Sequence, residues 1–293
     1  MGYLYTMTLV WAFSFSLIGE YLAGQVDAWF SVLIRIALAA LVFLPFLRFR
    51  GISKKLILSL MAIGGIQLGL MYGFYYQSFL LLSVPEVLLF TILTPFYVTL
   101  LYDLMKGQFS PWYLVTAFVA VLGAAVIKYS AISSHFLLGF LVVQGANICF
   151  AIGQVSYKHL MEKQPNSLPQ HHIFGYFYLG ALCVALIAFT WLGDSSKLPT
   201  SITQWGILTY LGVIASGLGY FIWNRGACKV NAGALAVMNN ALVPAGLIVN
   251  LVIWNHDVNL PKLLLGGALI AFSLWFNETW VKRKVAQKRQ TLT

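Results

Sequence analysis

The residues of this chain that could do chemistry are few, and they sit inside long apolar runs. Asn239 and Asn240 stand five and four residues before Pro244. Proline has no N–H for the carbonyl one turn earlier, at about residue 240, so a helix there opens and kinks beside two amides. Asn147 and Gln154 are seven apart, two helical turns, and share one face. Gln67 is a further amide within an apolar run. Arg35 lies about seven residues, roughly 11 Å, inside its run, too deep to snorkel without strain. Trp11 and Phe15 are four apart on one face, and Tyr72 and Tyr75 match Tyr220 and Trp223 at an offset of 148. Amides, a guanidinium and aromatic faces recognise molecules; they do not by themselves break bonds. The set suits reversible binding of a small molecule. Trp11, Arg35, Tyr72, Asn147, Gln154, Tyr220, Asn239 and Asn240 are therefore the candidate binding residues. Each has a plainer role open to it: interhelical glue for the amides, core packing for the rings, a fixed structural charge for Arg35.

Other chemistry finds no support. There is no P-loop, no Ser-His-Asp arrangement, no paired carboxylate in a span and no His-rich metal spacing, so no catalytic residue, metal or cofactor is expected. Glu20 and Glu86 fall at the ends of runs, where they could hold a coupling proton or face a helix N-terminus; Glu86 follows Pro85, which favours the latter. His171 and His172 fall in a connection and should be solvated. Cys149, Cys183 and Cys228 have no paired or metal-like spacing and read as small packing residues.

The elements that must position these residues are membrane spans. Hydrophobic residues make up 60% of the chain and charged ones 9%, against about 25% charged in a soluble domain. Met1 to Gly19 lacks a basic leader and cleavage site and reads as a retained span. About twenty apolar residues cross the hydrocarbon. Ten such runs are expected: Tyr3–Gly19, Ala28–Leu47, Leu56–Leu81, Val84–Leu104, Trp112–Ile127, Phe136–Tyr157, Phe174–Leu192, Gln204–Trp223, Ala232–Trp254 and Leu260–Trp280. With the N-terminus inside, fourteen Lys and Arg fall at cytoplasmic ends and three outside, which predicts both termini in the cytoplasm. The +10 net charge then reflects topology, with the bilayer as partner and no nucleic acid.

The chain also echoes itself. Leu93-Thr94-Pro95 answers Leu242-Val243-Pro244, Gly69-Leu70 then Tyr72 answers Gly217-Leu218 then Tyr220, and Trp11-Ala12 answers Phe150-Ala151 at an offset of 139. The change of offset places an insertion of roughly ten residues near Gln164 to His172. Five spans per copy is odd, so the copies lie in opposite orientation and a site forms between them near the midplane. Residues 1–130 and 131–281 are the expected repeats, 282–293 a basic tail, and Pro95 and Pro244 the expected kinks.

Ten spans in two five-span units, with proline in spans four and nine, resemble the EamA-type branch of the drug/metabolite transporter superfamily. Within it, Trp11-Ala12-Phe13-Ser14-Phe15-Ser16, Gly19-Glu20-Tyr21-Leu22-Ala23-Gly24 and Phe43-Leu44-Pro45-Phe46-Leu47-Arg48 are similar to the bacterial biotin transporters. So are Gln204-Trp205-Gly206-Ile207-Leu208 and Met238-Asn239-Asn240 with Val243-Pro244-Ala245-Gly246-Leu247. The resemblance covers all but the tail. It implies a multi-pass carrier of the bacterial inner membrane that imports biotin by alternating access, and not an enzyme. Biotin has a ureido ring, an apolar body and a carboxylate, which the amides, rings and arginine could meet. A superfamily exporter of amino acids or other small metabolites is the alternative, and an integral membrane transferase a third reading that lacks a catalytic constellation. Energy coupling and oligomeric state stay open.

Overall fold

Hydropathy and backbone satisfaction leave one architecture open, because a helix pairs its own N–H and C=O groups where lipid offers none. The computed structural model describes residues 1–107, 109, 111–127, 134–164, 169–254, 260–281 and 283–284. These form ten helices in the order expected. They are α1 (Gly2–Leu22), α2 (Ala28–Phe46), α3 (Lys54–Ser78), α4 (Val84–Lys106), α5 (Pro111–Ile127), α6 (Ser134–Glu162), α7 (Gln170–Leu192), α8 (Ile202–Ala227), α9 (Ala232–Trp254) and α10 (Leu264–Val281). Nine are long and apolar enough to cross a membrane; the apolar part of α5, Pro111–Leu122, is shorter. This is a multi-pass membrane protein. The basic tail lies outside the described residues except 283–284, as do Pro165 in the expected insertion and the 128–133 junction between the halves.

Polar residues at the connections fix where helices start. Asp27 accepts the N–H of Phe30, Ser53 that of Leu56 and Asn231 that of Ala234, while Ser201 and Gln204 form a reciprocal capping box. Glu86 accepts from the N–H and hydroxyl of Ser83, so it caps the start of α4.

The principal helix contacts of the two halves correspond under their exchange. α1 packs on α8 as α6 packs on α3, α1 on α9 as α6 on α4, and α2 on α8 as α7 on α3; α2–α7, α4–α9 and α5–α10 map onto themselves. The closest crossings depend on glycine. A Cβ on Gly64 would lie 1.8 Å from the Phe177 carbonyl oxygen, and one on Gly180 1.9 Å from that of Met61. The repeat-equivalent of Gly64 is Gly212, where a Cβ would come within 2.7 Å of Leu38. Both crossings therefore bring helices closer than any side chain permits.

The copies also share their irregularities. α3 widens over Gly65–Leu70 and α8 over Tyr210–Leu218. One turn before each proline the helix is interrupted, by a tight turn over Thr91–Leu93 in α4 and at Ala241 in α9. The Thr91 carbonyl that Pro95 cannot reach accepts from the Thr94 hydroxyl at 2.7 Å.

Candidate substrate cavity

The interruptions and widened turns converge on a cavity between the halves. It is lined from α1 by Trp11 and Phe15, from α2 by Arg35, and from α3 by Tyr72 and Tyr75; Asn147 and Phe150, Tyr220 and Trp223, and Asn239 close it from α6, α8 and α9. Its volume is about 90 Å³, below the about 300–1,000 Å³ of open small-molecule sites, so it is a narrow slot.

Repeat-equivalent residues meet each other here, as residues on an axis between two copies must. Trp11 and Phe150 pack edge to face at 5.8 Å between centroids, and Tyr72 and Tyr220 do the same at 5.8 Å. Asn240 donates at 3.1 Å to the carbonyl of Ile92, the residue after its counterpart Thr91. Trp11 adds Tyr220 at 5.2 Å and Trp223 at 4.9 Å, which completes an aromatic wall.

At one end stands Arg35, 2% exposed. Its Nε donates to the Ser216 hydroxyl at 2.7 Å and the Leu211 carbonyl at 3.3 Å, both offered by the widened turn of α8, and Nη1 donates to the Tyr76 hydroxyl at 3.3 Å. The guanidinium carbon lies 4.2 Å from the centre of the Tyr72 ring, and the Tyr72 hydroxyl is tied to Ser216 at 2.8 Å. None of these partners is a carboxylate, so the positive charge is held and oriented by neutral groups.

Amides gather at the other end. Asn147 donates to the Phe90 carbonyl at 2.8 Å and to Gln144 at 3.0 Å. Asn239 donates to the Leu235 carbonyl at 2.7 Å and accepts from Gln154 at 3.3 Å. Their side-chain oxygens keep lone pairs that could accept N–H donors from a ligand.

Of the eight residues singled out in the sequence, Trp11, Arg35, Tyr72, Asn147, Tyr220 and Asn239 line the slot. Gln154 and Asn240 do not. Gln154 is turned from the slot because it accepts the Trp223 indole N–H at 3.0 Å and holds Asn239. Asn240 is turned away because it serves the broken turn of α4. Gln67 is likewise consumed, in a reciprocal amide pair with Asn224 at 3.2 Å. Tyr75, Phe150 and Trp223 line the slot without having been selected; each is the repeat-equivalent of a residue named above, and that was the available signal.

Lys158 lies one turn beyond Gln154, on the side of the bundle where the N-terminus sits. It is buried, donates to the Ala227 and Val230 carbonyls at 3.1 and 2.8 Å, and pairs with Glu162, which also holds Lys106 of α4. These contacts close that end beneath the Gln154–Asn239–Trp223 layer. Arg225 lies outside this closure, over the Tyr3 ring.

Known proteins resemble this chain in sequence and in fold. The EamA-like transporter family matches residues 137–278. Over 288 residues the chain is 53% identical to a biotin transporter of Salmonella typhimurium, spanning 98% of this chain and 96% of that one. It is 54% identical over 277 residues to a probable biotin transporter of Pseudomonas aeruginosa, spanning 94% and 97%. One solved crystal structure has the same fold at a TM-score of 0.74, with 16% identity over 95% of this chain and 96% of the other.

Proposed function

The chain belongs to the EamA-like transporter family, and we propose that it imports biotin across the bacterial inner membrane by alternating access. The observation that carries this reading is the polarity of the slot. An arginine held by neutral groups stands at one end, amide oxygens at the other, and aromatic faces between, in a chain half identical to proteins named for biotin. A carboxylate suits Arg35, the ureido N–H groups suit Asn147 and Asn239, and the apolar body suits the Trp11–Tyr220–Trp223 wall. The two repeats, 1–130 and 131–281, rock about the slot, with the breaks before Pro95 and Pro244 as pivots. Both termini face the cytoplasm, as the loop charges favour. The Lys158 closure then seals the cytoplasmic side and must part for release.

Uptake of labelled biotin at low concentration into cells lacking their own carrier tests this. Expression of this chain should raise uptake, and unlabelled biotin should compete. No gain over empty cells at normal protein levels, or equal competition by amino acids, would move the cargo to the exporter-like alternative.

The neighbouring amides should separate in the same assay. Asn239→Ala raises the apparent substrate constant with little change in protein level, because its side chain lines the slot. Asn240→Ala removes a donor from the half-buried Ile92 carbonyl, which costs about 1 kcal/mol. It should lower thermal stability and leave the constant unchanged. The reverse pattern would reassign the two.

A further inference from the structure

We infer that the Tyr75 hydroxyl is a second donor, beside Arg35, to the carboxylate of the cargo, and that it sets the preference for a free acid over its neutral derivatives. This rests on the reading of the slot as a biotin site.

Tyr75 is 8% exposed and lines the slot, and its hydroxyl oxygen is buried without a hydrogen-bond partner among the described residues. Leaving such a group unpaired is unfavourable, and a ligand that accepts its proton removes that cost. The neighbouring phenols are already engaged: the Tyr72 hydroxyl with Ser216, and that of Tyr76 with Arg35. Nor can Tyr75 swing to another partner, because its ring packs edge-on against Phe15 at 5.1 Å and Phe79 at 4.9 Å.

The repeat shows why this hydroxyl in particular is free. The equivalent of Tyr75 is Trp223, at the offset of 148, and the Trp223 N–H is satisfied by Gln154. The equivalent of Gln154, at the offset of 139, is Phe15, and Phe15 is the residue against Tyr75. One copy supplies an internal acceptor at this position. The other has replaced it with a ring that cannot accept, which leaves a donor facing the slot. On the same side the Arg35 Nη2 donates to none of the described residues. A carboxylate there would accept from both groups, the phenol keeping its proton and the charge staying on the oxygen pair.

Two variants test this in biotin uptake, with the neutral methyl ester of biotin as competitor. Tyr75→Phe removes only the unpartnered oxygen, so folded protein should be unchanged or greater. Its apparent KM for biotin should rise about tenfold, while the inhibition constant of the ester stays within twofold. Phe15→Gln gives Tyr75 the acceptor that Trp223 has, and should raise the biotin KM in the same way. An unchanged biotin KM in Tyr75→Phe, or equal shifts for acid and ester, would overturn the inference while wild-type uptake upholds the cargo. Absent uptake by the wild type would overturn both.

Discussion

Replacing Arg35 by Gln should abolish biotin uptake while leaving the protein folded. Removing one partner from a buried charge pair costs about 3–5 kcal/mol, because the other charge is left uncompensated. At tenfold per 1.4 kcal/mol, that is a loss of at least about a hundredfold in affinity. The substrate carboxylate bears that cost, since the groups that hold Arg35, Ser216, the Leu211 carbonyl and Tyr76, are neutral. The signature is therefore divergent: transport falls, and the thermal midpoint holds or rises once a buried charge is gone. Arg35→Lys should not rescue. An ammonium cannot meet Ser216, the Leu211 carbonyl and Tyr76 while lying flat on the Tyr72 ring. A falling midpoint together with normal uptake would make Arg35 a structural brace for the widened turn of α8 and nothing more.

The second large effect falls on the fold. Gly64→Ala and Gly180→Ala should each leave little folded protein in the membrane. Their added methyl groups would meet the backbone carbonyls of Phe177 and Met61 at under 2 Å, and a carbonyl inside a helix cannot turn aside. α3 and α7 must separate, and α3 carries Tyr72 and Tyr75. The penalty should exceed the about 1–3 kcal/mol of ordinary overpacking. Gly206→Ala is the internal control, because nothing lies within 4 Å of its added carbon and alanine favours the helix. Thermal melts of the three purified variants check this; a Gly64→Ala protein as stable as Gly206→Ala would contradict the close crossing.

Much of this architecture is legible in the residues. Apolar run length finds each helix in order, and α9 with both its ends, since Asn231 caps one side and the apolar pattern stops at Trp254 on the other. Runs counted by hydropathy stop early where charge is hidden by pairing. α6 continues through Lys158 to Glu162, because the two pair one turn apart and Lys158 also binds carbonyls of the α8–α9 connection. The Gly69 and Gly217 echo reads in the sequence as a trace of duplication. In three dimensions it marks the two close crossings, α3 with α7 and α8 with α2.

The slot is less legible, for a physical reason. Asn239 and Asn240 differ by about 100° around a helix, and no spacing rule says which of them faces inward beside an interrupted turn. Gln154 shares a face with Asn147, yet the indole of Trp223 takes it out of the slot. Among 15% aromatic residues, composition cannot separate Tyr75 from a packing tyrosine. Comparison of the two copies can, because Phe15 stands where the other copy has Gln154.

The most direct measurement is biotin flux into liposomes that contain this protein alone, with wild type and Arg35→Gln reconstituted at equal density. Saturable uptake by the wild type that free biotin competes better than its methyl ester, and that Arg35→Gln lacks, is the predicted result. Wild-type flux no greater than that of empty liposomes, or equal flux through both proteins, would contradict it.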